Sequence, residues 1–149
     1  PFNAWVVLKG LETLDLRAHR QADNALEVGR FLEARVPQIL HPGLECHPQF
    51  DLARRQMIKP GSIFSFVIDG GRTEAHGFLD ALELIDISNN IGDSKSLMTH
   101  PASTTHSSLS PETRAAMGVT EGMLRISVGL EDPQDLIDDL DRALRKVGL

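Results

Sequence analysis

Arg125 is the residue whose setting most invites a chemical reading. It stands in Met123-Leu124-Arg125-Ile126-Ser127-Val128, where Leu124, Ile126 and Val128 alternate with Met123, Arg125 and Ser127. Period-2 alternation marks a strand, so Arg125 and Ser127 share one face. A guanidinium carried by a rigid strand beside a hydroxyl is a suitable clamp for a carboxylate, because its planar fork matches both oxygens. The plainer reading is a strand arginine paired with a neighbouring acid. A second segment, Ser88-Asn89-Asn90-Ile91-Gly92-Asp93-Ser94-Lys95-Ser96, is dense in donors and acceptors around a glycine. It could cradle an anion with backbone N–H groups, or be a solvated loop that uses Asn and Asp for its turns. Cys46-His47, His100 and His106 raise the question of a metal, but neither spacing resembles a zinc-ligand pattern, and no metal ligand is assigned. No G-x-S-x-G elbow, P-loop or G-x-G-x-x-G is present, and Asp69-Gly70-Gly71 reads as a turn.

The elements that must position these residues follow from periodicity. Apolar residues at Trp5, Leu8, Leu11, Leu14, Ala18, Ala22, Ala25, Leu26, Gly29 and Leu32 predict one amphipathic helix from Asn3 to about Arg35, bent near Gly10. Such a helix is roughly 45 Å long, against a radius of gyration of about 15 Å for a globule of this size. It is expected to protrude, with Phe2, Trp5 and Leu8 packed against something outside the domain. Gln38–His41 predicts a short strand, Pro42-Gly43 a turn, and His47-Pro48 the start of a short helix through Arg55. Ser62–Ile68 reads as a strand, Thr73 as the cap of a helix to about Leu84 with a stripe of Ala75, Phe78, Leu79 and Leu82, and Ile85–Ile87 as another strand. Residues 88–109 read as a long polar loop, expected to be mobile. Ser110-Pro111-Glu112 restarts a helix. After the strand at Met123, Asp132-Pro133 opens a last helix with Leu136, Ile137, Leu140, Leu144 and Val147 on one face and the pairs Asp138/Arg142 and Asp141/Arg145 on the other. Strands and helices alternating at short intervals predict a two-layer α/β sandwich with a small sheet.

The chain has 149 residues, 41% of them apolar and 24% charged, which is ordinary globular composition and length enough for one core. One cysteine excludes an internal disulfide framework and points to a reducing compartment. A net charge of −6 without a basic run leaves sequence-independent nucleic-acid binding little electrostatic support. No apolar stretch reaches the ~20 residues of a membrane span, and no signal-peptide pattern opens the chain. The first residue is Pro1 rather than Met, and a helical pattern starts at once, which reads as a cut end.

Several blocks, taken in order, resemble a known family. Pro1-Phe2-Asn3-Ala4-Trp5 with Leu8-Lys9-Gly10-Leu11-Glu12-Thr13-Leu14 and Arg17 is similar to the start of the C-terminal domain in the Cys/Met-metabolism family of pyridoxal-phosphate enzymes. His41-Pro42-Gly43-Leu44 with His47-Pro48, Ser88–Leu97, Pro101-Ala102 with Thr105-His106, and Leu124 through Asp132 follow in the family's order, so the resemblance covers essentially the whole chain. Asn90-Ile91-Gly92-Asp93 with Lys95, and Ser107–Pro111 after Thr105-His106, most resemble the branch of homoserine sulfhydrylases that acts on O-succinylhomoserine.

The resemblance implies a fold-type I enzyme of which this is the small C-terminal domain, a mixed or antiparallel sheet covered by helices and preceded by a long helix. The implied division is residues 1–35 as an interdomain helix and 36–149 as the substrate-binding domain. It implies pyridoxal 5'-phosphate (PLP) held by a large domain that this chain lacks, a homotetramer, a cytoplasmic location, and a γ-replacement that makes homocysteine from O-succinylhomoserine and sulfide in methionine biosynthesis and trans-sulfuration. Substrate binding is implied for Arg125, which matches an arginine that holds the substrate α-carboxylate, and for Asn90 and Thr105. Many lyases and γ-synthases have Ser-Leu-Gly-Gly where this chain has Asn90-Ile91-Gly92-Asp93, so Asn90 carries over a hydrogen-bonding role and no hydroxyl role; His106 supports the loop. The Schiff-base lysine of a Ser-x-Thr-Lys motif has no counterpart among Lys9, Lys59, Lys95 and Lys146. No catalytic or cofactor-binding residue is therefore assigned here, and the chain alone is expected to be inactive. O-acetylhomoserine sulfhydrylase, cystathionine γ-synthase and γ-lyase are the neighbouring alternatives within the family. A stand-alone non-catalytic module is the alternative outside the enzyme class.

Overall fold

Period-2 and period-3.6 segments sort in space into two layers. The computed structural model describes all residues 1–149. In chain order they form α1 (Phe2–Glu12), α2 (Leu14–Glu33), β1 (Gln38–Leu40), α3 (Phe50–Gln56), β2 (Ile63–Val67), α4 (Arg72–Asp80), β3 (Asp86–Ile87), β4 (Leu97–Thr99), a 3₁₀ turn at Pro101–Ser103, α5 (Pro111–Ala116), β5 (Met123–Ser127) and α6 (Pro133–Lys146). The five strands make one sheet in the order β1-β2-β5-β4-β3, antiparallel except for the parallel pair β3/β4. This is the small mixed sheet of the expected α/β sandwich. No helix is long and apolar enough to cross a membrane.

One face of the sheet is the core. Phe64, Phe66, Met98, Leu124, Ile126 and Val128 point toward Val28 and Leu32 of α2, Phe78 of α4, and Leu136, Leu140 and Leu144 of α6, all within one buried cluster. Burying a side chain of that size is worth about 1.5–3 kcal/mol, so this face fixes strand register. A one-residue slip would turn the whole set outward.

Four sequence expectations are corrected. The long N-terminal helix is two helices, interrupted at Thr13 (φ −110°, ψ 6°) rather than bent at Gly10. Arg17 holds the joint, donating from Nη2 to the Gly10 carbonyl at 2.6 Å. No residue of α1 is buried, whereas α2 from Gln21 onward is packed into the core. The helix expected to be capped by Thr73 begins at Arg72 after Gly71, whose φ of 89° turns the chain into the helix. It ends at Asp80 rather than Leu84, because the buried Asp139 carboxylate accepts the N–H groups of Glu83, Leu84 and Ile85 at 2.9, 3.1 and 3.0 Å and draws those residues out of helical geometry. The pair expected between Asp138 and Arg142 does not form: Arg142 engages Asp139 and Glu83, while Asp138 accepts from Gln134. Finally, 88–109 is not one long loop. It contains β4, whose three residues are buried, and the buried start of the 3₁₀ turn.

Both proline-headed helices form as read. Ser110 Oγ accepts from the Thr113 N–H at 3.2 Å, and Asp132 Oδ1 from the Gln134 N–H at 2.8 Å.

Candidate functional site

The opposite face of the sheet carries Ser65, Thr99, Arg125 and Ser127 among apolar Leu40, Ile63, Val67, Leu97 and Met123. Register places Leu40, Ser65, Arg125 and Thr99 side by side across β1, β2, β5 and β4. Arg125 is half-buried in the middle of this row, and its Nη2 donates to the main-chain carbonyl of Asn89 at 2.8 Å. None of the chain's ion pairs includes it. The neighbouring acid of the plainer reading is thus absent, and Nε and Nη1 have no hydrogen-bond partner within the chain. A half-buried guanidinium with free N–H groups can receive a carboxylate in bidentate fashion.

Asn89 is itself gripped. Thr99 Oγ1 donates to Asn89 Oδ1 at 2.6 Å, and Thr104 Oγ1 lies 2.9 Å from Thr99 Oγ1 and 2.7 Å from the His100 carbonyl. Ser88, Asn89, Thr99, His100 and Thr104 line a polar cavity of about 400 Å³ beside this cluster. His100 is buried, with one ring nitrogen 2.7 Å from Ser103 Oγ and the other 2.9 Å from the Glu121 carbonyl. Burial holds its pKa below the usual histidine value.

The expected site residues are near one another in sequence to this cluster without all being in it. Asn90 is exposed, and its N–H donates to Ser88 Oγ at 3.2 Å. Thr105 is exposed, with its hydroxyl 2.8 Å from His106 Nδ1. No hydrogen bond joins Asn90 or Thr105 to Arg125. Their chain neighbours Asn89 and Thr104 make the connections, together with Thr99. Leu97-Met98-Thr99 shows no alternation, so the sequence carries no signal for Thr99 without its partner β5.

The segment from Asn90 to Ser96 is a stitched loop rather than an anion cradle. Gly92 N–H donates to Ser127 Oγ at 3.0 Å, Lys95 N–H to Asp93 Oδ1 at 3.3 Å, and Ser96 N–H to Glu131 Oε1 at 2.6 Å. Helix α2 contributes Gln21, which donates to the Asp93 carbonyl at 2.5 Å, and Asn24, which donates to the Glu131 carbonyl at 2.8 Å. These donors are spent on holding the loop against the end of β5. Lys95 Nζ is 3.1 Å from Asp86, whose hydrogen bond and charge hold the ammonium above the ordinary lysine pKa. The Lys95 N–H, followed by the Ser94 hydroxyl, keeps the Asp93 carboxyl below the ordinary carboxylate value.

Cys46, His47, His100 and His106 do not converge. No group of three or more His, Cys, Asp or Glu side chains in the chain is arranged to hold a metal ion.

A sequence profile described as Cys/Met metabolism PLP-dependent enzyme matches residues 1–145. An O-succinylhomoserine sulfhydrylase of Mycobacterium tuberculosis is 51% identical over 149 residues, covering 96% of this chain and 37% of that protein. An L-methionine γ-lyase of Pseudomonas putida is 45% identical over 148 residues, covering 97% of this chain and 37% of that protein. The crystal structure of a cystathionine γ-synthase from Xanthomonas oryzae pv. oryzae, in complex with aminoacrylate and cysteine, superposes with a TM-score of 0.93 at 38% identity, over 99% of this chain and 38% of that one. This chain spans little more than a third of the length of each of these relatives.

Proposed function

Since the chain belongs to the Cys/Met metabolism family of PLP-dependent enzymes, we propose that it is the substrate-binding part of a sulfhydrylase that makes homocysteine from O-succinylhomoserine and sulfide. The observation that carries the proposal is Arg125: an arginine in mid-strand, tied by one N–H to the Asn89 carbonyl and free of any acid. In the proposed enzyme it binds the α-carboxylate of the amino-acid substrate and so fixes the orientation of the reacting carbons. Asn90 and Thr105, exposed on the loops flanking that cluster, supply hydrogen bonds to the same substrate. Similarity to an O-succinylhomoserine sulfhydrylase supports the choice of substrate.

The residues of this chain do not by themselves fit the family's cofactor. None of the four lysines lines the polar cavity beside Arg125. Lys9 pairs with Glu12, Lys59 with Asp23 and Lys95 with Asp86, while Lys146 is exposed at the end of α6. In the proposed enzyme the cofactor and its lysine belong to the part of the relatives' length that this chain does not span. The chain alone is then inactive, α1 with its exposed Trp5, Leu8 and Leu11 packs against that part, and residues 36–149 with the second half of α2 form the substrate-binding domain. A homotetramer in the cytoplasm completes the reading.

The test is an assay of the full-length, PLP-loaded protein with O-succinyl- and O-acetylhomoserine, each with sulfide and with cysteine, and with methionine or cystathionine alone. Homocysteine formed fastest from the succinyl ester and sulfide supports the proposal. Preference for cysteine identifies a γ-synthase instead, and release of thiol without an acceptor identifies a lyase.

A further inference from the structure

Two hydroxyl protons decide the bonding around Asn89. Thr99 has one, and it goes to Asn89 Oδ1, an oxygen that can only accept, at 2.6 Å. Thr104 also has one, which goes to the His100 carbonyl at 2.7 Å, so its 2.9 Å contact with the Thr99 oxygen can only share that proton. The direction that matters is set: Thr99 donates to Asn89. Asn89 is used at both ends, its amide oxygen held by Thr99 and its main-chain carbonyl receiving Arg125 Nη2–H at 2.8 Å. Thr99 and Arg125 are also paired in register across β4 and β5. The hydroxyl and the guanidinium thus rise from neighbouring backbone positions and meet on opposite ends of one asparagine.

We infer that Thr99 and Asn89 are positioning residues for Arg125: the buried Thr99 hydroxyl grips the Asn89 side chain so that the Asn89 carbonyl pins one Nη2 N–H and leaves a remaining edge of the guanidinium presented to the substrate carboxylate. The inference rests on the reading of Arg125 as the carboxylate clamp. An arginine side chain has many rotamers, and an unpinned one must be ordered when the ligand binds; a carbonyl that holds it beforehand removes that cost from binding. Neither Thr99 nor Asn89 needs to touch the substrate for this. Thr99 is almost fully buried, at 1% exposure, so its role is exerted through Asn89.

The experiment uses the full-length, PLP-loaded enzyme and compares KM and kcat for the amino-acid substrate in Asn89→Ala, Thr99→Val, Thr99→Ser, the double variant Asn89→Ala/Thr99→Val, and Arg125→Ala. Asn89→Ala keeps the carbonyl and deletes only the amide that Thr99 holds. The expected result is a KM raised about 3- to 10-fold in Asn89→Ala and in Thr99→Val, the range of one neutral hydrogen bond, with kcat within about twofold and Thr99→Ser restored to the parent value. Because both changes break the same link, the double variant should be no worse than the worse single one. An unchanged KM in Asn89→Ala, or fully additive effects, overturns the inference. Asn89 is exposed, so its variant decides the question even where Thr99→Val fails to fold. If Arg125→Ala leaves KM unmoved, the clamp itself is refuted and the inference falls with it; if Arg125→Ala raises KM steeply while Asn89→Ala behaves as the parent, the clamp stands and the positioning role fails.

Discussion

Glu131 holds both donors of Ser96: its Oε1 accepts the Ser96 N–H at 2.6 Å and its Oε2 the Ser96 hydroxyl at 2.9 Å. The Ser96 oxygen in turn accepts the Gly129 N–H at 2.8 Å. Ser96 is fully buried, so these bonds lie out of water, where an unmade one is costly. The clasp fixes the end of the loop that begins at Asn89, and with it the approach of that loop to Arg125.

The clasp leaves no room at Gly129. A Cβ there would lie 2.4 Å from Glu131 Oε2 and 2.5 Å from both the Lys95 carbonyl carbon and the Ser94 oxygen. Two of those three atoms are backbone and cannot swing aside. Gly129→Ala is expected to cost about 2–3 kcal/mol, the range of overpacking, seen as a lower melting temperature. An unchanged melting temperature would show that the loop can yield.

Arg125→Ala in the full-length enzyme should weaken amino-acid binding by about 100-fold, as expected for loss of a charge-assisted pair of hydrogen bonds, while the absorbance of the bound cofactor stays as it was. Arg125→Lys should recover little, since an ammonium lacks the fork. Loss of PLP on substitution would refute the assignment, because it would place Arg125 with the cofactor rather than the substrate.

Asp139 is 2% exposed and accepts three backbone N–H groups as well as pairing with Arg142. Asp139→Ala leaves those donors unpaired where α4 gives way to β3. A destabilisation of about 3 kcal/mol is expected from denaturant titration. A change below about 0.5 kcal/mol, the range of an ordinary surface substitution, would mean that water replaces the carboxylate.

His41 is 1% exposed, packed 4.9 Å from the Phe64 ring, and its Nδ1 accepts the Gly43 N–H at 3.0 Å. Burial lowers its pKa from 6.5 to about 4. Between those values the unfolded chain binds a proton that the folded one refuses, so stability is fully present above pH 6.5 and is lost as pH falls toward 4. The loss should be on the order of 2–3 kcal/mol, read from urea midpoints across that range. In His41→Gln this part of the pH dependence should vanish; its persistence would assign the effect to other groups.

What was legible in the sequence was what repeats locally. Ser62–Ile68 announces itself by its run of β-branched and aromatic residues, Met123–Val128 by alternation, and α6 by its Leu136, Leu140, Leu144 stripe, because each element's own side chains face the core. The caps at Ser110 and Asp132 were legible because their chemistry spans only two or three residues. Strand β4 was hidden: its burial comes from lying between β3 and β5, and its flanks are Ser96 and His100. Glycine is the weaker helix former, so the sequence points to a bend at Gly10, whereas the break is at Thr13. The joint is closed by the Arg17 guanidinium, which a propensity argument does not see.

The same division runs through the site. The sequence alone put Arg125 on the polar face of a strand, since alternation fixes which side chains share a face whatever the strand packs against. That Arg125 has no acid partner, that Asn89 rather than Asn90 holds it, and that Thr99 holds Asn89, only the tertiary structure decided. Those contacts join positions 89, 99 and 125 through the β4/β5 register and a loop folded over it. Hydrogen bonds between residues distant in the chain depend on where whole elements come to rest, a position set by burial of the opposite, apolar face of the sheet.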